Sequence, residues 1–169
     1  MRIRDVQVGD AEILCAIYNH YIEHTTITFD EQSLQPEAFA LQIEHVSQRY
    51  PWLVIEEKGQ VLGYAYASEW GSRSAFRYTV ASSIYLHPEA PKRKGMGEML
   101  YRALLSQLAD RGFCRVIAAI AVPNEGSVAL HKKLGFSQAG YFHAMGYKFQ
   151  RWIDVIYLEL PLASGNSRV

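Results

Sequence analysis

The sequence has few cysteines, no net charge and no long apolar segment. Its two cysteines, Cys15 and Cys114, are far apart and lack metal-ligand spacing, which favours a reduced protein of the cytoplasm. The longest apolar run, residues 116–122, is far too short to span a bilayer. Residues 1–5 lack the apolar region of a signal peptide. A formal net charge of zero gives no indication of bulk affinity for nucleic acid or membranes.

The composition is that of an ordinary globular protein, with 49% hydrophobic and 20% charged residues. A chain of 169 residues can bury a core without disulfides or structural metals, so one domain is expected. We find no internal repeat and no low-complexity tract. The domain is predicted to span residues 1–162, with residues 163–169 as a disordered tail.

Apolar periodicity and turn signals predict an α/β domain with the element order βααβββαβαββ and a mixed sheet. Asp10 is expected to cap the first helix and Pro36 to open the second. Residues 58–60 indicate a hairpin turn, and Gly112 is expected to end the third helix. The predicted strands are residues 3–7, 52–56, 61–67, 76–86, 116–122, 137–147 and 152–160.

A basic turn with two glycines separates the strand at 76–86 from the helix that follows. Glycines let the backbone approach a ligand closely, and the first N–H groups of a helix have no internal partners. The turn therefore predicts a diphosphate site, although on this segment alone a solvated basic loop is the alternative. It matches neither the P-loop nor the full dinucleotide-binding glycine pattern. Its residues are Lys92, Arg93, Lys94, Gly95, Met96 and Gly97.

A second polar group follows the next predicted strand. Asn124 and Ser127 stand where a helix begins, and capping alone would explain both residues. His131 lies four residues after Ser127 and therefore on the same helical face. A single histidine beside Leu130 and Leu134 is also compatible with a purely structural role.

Together the two motifs resemble the GNAT superfamily of acetyl-CoA-dependent N-acetyltransferases. The family turn is Gln/Arg-x-x-Gly-x-Gly/Ala, and its second motif is Asn-x-x-Ala/Ser-x-x-Leu-Tyr/His-x-x-x-Gly-Phe. The resemblance implies a single domain with a twisted, mostly antiparallel mixed sheet flanked by helices. The second motif is met here by Asn124, Ser127, Leu130, His131, Gly135 and Phe136.

The chain is also similar to the phosphinothricin and methionine sulfoximine acetyltransferase branch of that superfamily. This implies direct attack of a small amino-acid-like amine on acetyl-CoA, without a metal, in a protein that commonly forms homodimers. The alternatives are another small amine or a protein N-terminus as acceptor, or an acyl-CoA-binding module with weak catalysis. The matching segments include residues 18–23, 49–54, 64–67, 75–79 and 146–148.

Two departures from the branch affect binding and chemistry. Lys92 replaces the family's Arg or Gln, and the preceding loop is one residue longer. Weaker cofactor binding is expected because lysine cannot make the two-pronged contact of arginine. Ala81 stands where the branch has a glutamate thought to act as general base. His131 is therefore predicted to be the main proton-transfer residue, with His20 and Glu23 as other titratable candidates.

The resemblance also assigns binding roles. Tyr85 and Leu86 are expected at the pantetheine arm, whereas the turn at 92–97 with Asn124 and Ser127 would hold the rest of acetyl-CoA. Arg73 and Arg77 are predicted to clamp a substrate carboxylate or phosphinate, with a surface ion pair as the alternative. Aromatic side chains that could wall the substrate pocket, rather than belong to the core, are Phe29, Trp70, Phe76 and Tyr78.

Overall fold

The computed structural model describes residues 1–91 and 95–163. Within these ranges it has the predicted order of seven strands and four α-helices, with short 3₁₀ turns at Val8–Asp10 and Ser74–Phe76. The helices are α1 (Ala11–His24), α2 (Pro36–Ser47), α3 (Met96–Asp110) and α4 (Glu125–Lys133). The strands are β1 (Arg2–Asp5), β2 (Trp52–Glu57), β3 (Gln60–Glu69), β4 (Thr79–Leu86), β5 (Arg115–Val122), β6 (Ser137–Lys148) and β7 (Arg151–Pro161).

The strands form one sheet in the order β1-β2-β3-β4-β5-β7-β6. Each neighbouring pair is antiparallel except β4 and β5, which are parallel, so the predicted mixed, mostly antiparallel sheet is confirmed. Strand residues alternate between two cores because successive side chains point to opposite faces. Leu14 and Phe39 of α1 and α2 pack with Trp52 on one face. Leu100 of α3 packs on the other face with Leu53.

The parallel pair is short, and this creates the main irregularity of the sheet. Only Thr79, Val80 and Ala81 of β4 pair with β5, opposite Arg115–Ile117. Beyond Ala81 the two strands continue without pairing each other, although each remains paired on its other side. A gap therefore opens between two strands in the middle of the sheet, next to the start of α3.

Two local expectations were wrong. Phe76 begins no strand, because Ser74–Phe76 forms a 3₁₀ turn in which Phe76 N–H donates to Arg73 O at 2.9 Å. Asp10 does not cap α1 with its side chain, because its carboxylate accepts hydrogen bonds from Arg4 and from the backbone of Gln7.

Candidate active site

The gap between β4 and β5 forms a narrow cavity in the centre of the sheet. His87 N–H donates to Leu62 O on the β3 side, so alternation along β4 turns the backbone of Ile84 and Leu86 toward the gap. Leu86 O also accepts a hydrogen bond from the Tyr21 hydroxyl at 2.7 Å. The gap is lined by Ile27, residues 82–85, residues 118–121, Asn124, Ser127 and His131. It thus offers backbone hydrogen-bonding groups to an extended ligand.

A larger cavity of about 490 Å³ adjoins the beginning of α3 and includes Leu86 and Leu130 in its lining. Gly95 precedes α3 in the left-handed region, with a φ of 70°, and supplies no side-chain cap to the helix. Of the first helical turn, Met96 is buried and Gly97 lines the cavity. Because these N–H groups lie at the positive end of the helix dipole, the cavity suits a diphosphate.

Gly97 keeps this first turn close to its neighbours. A Cβ placed on Gly97 would lie 3.3 Å from a methyl carbon of Leu130 and 3.8 Å from side-chain carbons of Ile84 and Leu86. The structure therefore brings Gly95, Met96 and Gly97 beside Leu86 in the lining of one cavity, and their role toward a cofactor stays a prediction. The predicted contacts of Lys92, Arg93 and Lys94 lie outside the described residues, as do residues 164–169 of the predicted tail.

Asn124 and Ser127 begin α4 at the border of the gap. The Asn124 side chain accepts a hydrogen bond from Ser127 N–H at 3.2 Å, which confirms the expected cap. This contact occupies one acceptor of Asn124 and leaves its amide nitrogen, together with the Ser127 hydroxyl, at the edge of the gap. A role of either side chain toward a cofactor stays a prediction.

His131 is buried, with 3% of its surface exposed, and both ring nitrogens are engaged. Nδ1 lies 2.7 Å from Ser127 O, and since a carbonyl oxygen only accepts, Nδ1 carries the proton. Nε2 lies 3.0 Å from the Tyr101 hydroxyl and accepts its hydrogen in the neutral imidazole. Burial lowers the pKa of His131, and the bond to Ser127 O opposes this shift. His131 is thus a neutral base held in one tautomer.

The hydrogen bonds continue from His131 toward the gap. The hydroxyl of Tyr101, a fully buried residue of α3, lies 2.5 Å from Ser82 Oγ. Ser82 is half-buried, lines the gap and lies 3.4 Å from Ile117 O. The path Ser82–Tyr101–His131 therefore connects the gap with a buried imidazole.

The opposite face of β4 carries Ala81, Ser83 and Tyr85. Tyr85 packs edge-on against Tyr18 of α1, with ring centroids 5.1 Å apart. The Tyr18 hydroxyl in turn donates to Asp30 Oδ2 at 2.7 Å, and burial raises the pKa of this phenol. A carboxylate at position 81 would therefore project toward the face that carries Tyr85, Tyr18 and Asp30.

The segment between α1 and α2 forms a wall beside this face. Phe29 is 40% exposed, and its ring lies so close to Gly146 of β6 that a Cβ there would be 2.6 Å from Phe29 Cζ. Lys148, also of β6, is buried and donates from Nζ to Thr28 O at 2.8 Å. Two contacts with β6 thus fix the position of Phe29.

The predicted substrate clamp lies elsewhere on the surface. Arg73 and Arg77 line one concavity near the start of β4, and the gap opens beyond its third residue. Arg77 donates to Ser74 O at 3.1 Å and lies over the ring of Tyr78, 4.7 Å from its centroid. Trp70 contacts Tyr157 edge-on, with ring centroids 6.0 Å apart. The structure brings the two arginines together but does not bring them to the gap.

The two other titratable candidates line neither the gap nor the larger cavity. His20 packs near His24, and Glu23 accepts a hydrogen bond from Ser33 Oγ at 2.5 Å. Sequence reasoning missed Ser82, Tyr101 and Lys148. From the sequence, Tyr101 is expected to be a core residue on the apolar face of α3, and only the fold shows that its hydroxyl contacts Ser82 and His131.

The described residues lack two further features. Residues 1–91 and 95–163 contain no group of three or more His, Cys, Asp or Glu side chains arranged to hold a metal ion. In the same part of the chain, none of the helices combines the length and apolar content required to cross a membrane.

Comparisons with known proteins agree with this geometry over the full domain. The chain is 40% identical over 165 residues to phosphinothricin N-acetyltransferase of Streptomyces viridochromogenes, a match covering 95% of this chain and 90% of that protein. It is 35% identical to L-methionine sulfoximine/L-methionine sulfone acetyltransferase of Salmonella typhimurium, and this match covers 96% of this chain and 95% of that protein.

A solved structure is equally similar. It is a GNAT superfamily phosphinothricin acetyltransferase from Sinorhizobium meliloti in complex with acetyl-CoA, with a TM-score of 0.94, 35% identity and coverage of 99% of this chain and 91% of that chain. The family model described as Acetyltransferase (GNAT) domain matches residues 3–157. The chain therefore belongs to the GNAT family of acetyltransferases.

Proposed function

We propose that this enzyme transfers the acetyl group of acetyl-CoA to the amine of a small amino-acid-like substrate of the phosphinothricin or methionine sulfoximine type. The observation that carries the proposal is the β4–β5 gap joined to the uncapped start of α3. The names of the relatives, similar over nearly the whole chain, support this acceptor class.

The residues present fit acetyl-CoA in two respects. The N–H groups at the start of α3 can bind the diphosphate, while the backbone of Ile84 and Leu86 can hydrogen-bond the pantetheine amides. The acetyl group would then lie in the gap near Ser82, where an amine can attack its carbonyl carbon directly. Gly97 leaves room for this arrangement because it has no side chain between α3 and β4.

The acceptor would approach from the face that carries Ala81 and Tyr85, and its amine would enter the gap that Ser82 also lines. There Phe29 forms an exposed apolar wall, and Asp30 lies within reach of the Tyr18 hydroxyl. Such a mixture of aromatic and acidic groups suits a small zwitterion, whose ammonium group favours an acidic neighbour. Arg73 and Arg77 line a separate concavity near the start of β4 and have no assigned role in this acceptor site.

The experiment is an acetyl-transfer assay in which purified protein, acetyl-CoA and either phosphinothricin or methionine sulfoximine are incubated, and free thiol is followed. Cys114 is exposed and would react with thiol reagents, so a reaction without acceptor supplies the background, and mass spectrometry identifies the acetylated amine. Absence of transfer across a broad amine panel, despite acetyl-CoA binding by calorimetry, would instead support a binding module.

We also propose that the protein is a cytoplasmic homodimer that pairs through the edge strand β6 and its hairpin with β7. β6 is last in the sheet order, and several large apolar side chains near it are exposed. They are Tyr141, Phe142, Met145, Tyr147, Phe149 and Trp152. Equilibrium sedimentation of the wild type and of Trp152→Arg tests the pairing, since a dimer dependent on this surface would dissociate.

A further inference from the structure

We propose that Ser82, Tyr101 and His131 form a proton relay that serves the acetyl transfer in place of the carboxylate absent at Ala81. The inference rests on the proposed function. Its basis is the unbroken path of contacts from the gap to the imidazole: 2.5 Å from Ser82 Oγ to the Tyr101 hydroxyl, and 3.0 Å from there to His131 Nε2.

The direction of the relay follows from hydrogen-bond donors and acceptors. The Nδ1–H of His131 is committed to Ser127 O, so Nε2 is the free base and Tyr101 donates to it. Tyr101 can then accept from Ser82, a half-buried residue that lines the gap. His131 cannot reach an amine in the gap directly while both its nitrogens have these partners. Ser82 is therefore the group that touches the substrate, and Tyr101 and His131 act through it.

The proton transfers balance in both halves of the reaction. As a neutral amine forms its C–N bond to the acetyl carbon, the nitrogen becomes acidic and gives a proton to Ser82 Oγ. Ser82 passes its own proton to Tyr101, and Tyr101 passes its proton to His131 Nε2. When the C–S bond breaks, the same path runs in reverse and protonates the coenzyme thiolate, so His131 ends neutral.

The surroundings of His131 suit a group that accepts and then returns a proton. From α3 the titratable side chain facing it is Tyr101, β4 contributes Ser82, and the segment after α4 contributes the ring of Phe136. β5 presents the uncharged residues 118–121 to the same gap. Burial lowers the pKa of the imidazole, and no charged side chain of the described residues contributes to that shift. A base held by no ion pair can release its proton readily to a thiolate.

The test is Tyr101→Phe, which removes one hydroxyl and keeps the ring, with Ser82→Ala as a second variant that acts from the other end of the path. The expected result is a fall in kcat on the order of 10²-fold in either variant. The double variant should lose little more, because residues of one relay act as a unit. The dissociation constant of acetyl-CoA should be unchanged. Tyr64→Phe is the matched control, since Tyr64 is equally buried and its hydroxyl has no hydrogen-bond partner among the described residues.

The pH profile separates a relay from a structural role. As the pH is lowered, log(kcat/KM) of the wild type should first fall by one unit per pH unit, because only the amine becomes protonated. Below the pKa of His131 it should fall by two units per pH unit, because the imidazole becomes protonated as well. In Tyr101→Phe the slope should stay at one throughout. If the wild type transfers no acetyl group, the proposed function fails. If the wild type is active but both variants keep its kcat and slopes, or lose only acetyl-CoA affinity, the relay alone is overturned.

Discussion

Lys148 and Thr28 are 120 positions apart in the chain, yet the Lys148 ammonium donates to the Thr28 carbonyl at 2.8 Å in a buried contact. Burial lowers the pKa of Lys148, while the nearby Asp30 and Glu31 carboxylates raise it. A buried charge needs such a partner, because an unpaired one is expensive. This bond holds the segment between α1 and α2 against β6.

Lys148→Met should therefore loosen the wall that contains Phe29. It removes the donor and leaves the Thr28 carbonyl unpaired, at a cost of about 1–3 kcal/mol in the free energy of unfolding. The KM for the amine should rise more than the KM for acetyl-CoA, because the acetyl-CoA cavity does not involve Lys148. Denaturant unfolding and steady-state kinetics check both effects. Lys58→Met, at an exposed hairpin turn, is the control, and equal changes in the two variants would contradict this role.

Gly146→Ala tests the same wall from the side of the Phe29 ring. The added methyl group would lie 2.6 Å from Phe29 Cζ, so the ring must move. We expect the KM for the amine to rise about tenfold, equivalent to ~1.4 kcal/mol, with little change for acetyl-CoA. Gly9→Ala, where a new Cβ would meet nothing within 4 Å, should behave as wild type. Unchanged amine kinetics in Gly146→Ala would show that Phe29 does not contact the acceptor.

The order of elements and the cap of α4 could be predicted from the sequence because both depend on local signals. Apolar periodicity, Pro36 and the Asn124 cap each act within a few residues of the chain. The error at Phe76 has a local cause as well, since an aromatic residue favours strands and does not reveal the 3₁₀ turn that contains it.

The contacts of the site could not be predicted in the same way. Tyr101 sits in an apolar helical stripe, and Lys148 follows a strand pattern that gives no sign of a buried charge. Their partners, Ser82 and Thr28, come from distant elements that meet only in the folded sheet. A pattern of residue types identifies which groups are available, whereas tertiary packing decides which of them face each other.

Gly95→Ala should weaken acetyl-CoA binding. Gly95 has a φ of 70°, a conformation that costs other residues roughly 1–2 kcal/mol. Relief of that strain would displace the first N–H groups of α3 from the diphosphate, so the dissociation constant should rise. Calorimetric titration of acetyl-CoA measures it. Gly59→Ala carries a similar penalty at φ 81° in the β2–β3 hairpin, and should lower stability without altering affinity. Equal affinity of both variants for acetyl-CoA would show that the start of α3 does not bind this ligand.

Asp10 should make stability depend on pH in the acid range. Its carboxylate accepts from Arg4 at 2.7 and 2.8 Å and from Gln7 N–H at 2.7 Å, and these bonds lower its pKa from the ordinary 3.8. A depressed pKa in the folded state stabilises the protein above the ordinary value, and this contribution disappears as the pH falls through the lowered pKa.

Asp10→Asn should therefore lower the free energy of unfolding by about 1–3 kcal/mol at pH 7. The difference from wild type should shrink as the pH falls below the ordinary 3.8 and through the lowered pKa of Asp10, because the wild-type carboxylate then becomes neutral as well. Urea unfolding at several pH values measures it. A difference that stays constant with pH would mean that the ion pair contributes nothing and that the loss has another origin.

Ala81→Glu tests whether the relay and the missing carboxylate serve the same step. Ala81 and Ser82 are consecutive on β4, so their side chains lie on opposite faces of the sheet, and a glutamate at 81 would reach the amine by a separate route. In the wild-type background we expect a modest gain in kcat, because a working relay already accepts the proton. In Tyr101→Phe the same glutamate should restore most of the lost kcat at pH 7. If kcat recovers but log(kcat/KM) still falls by only one unit per pH unit in acid, the carboxylate replaces the relay. If kcat does not recover although the protein is folded and binds acetyl-CoA, Tyr101 serves another step.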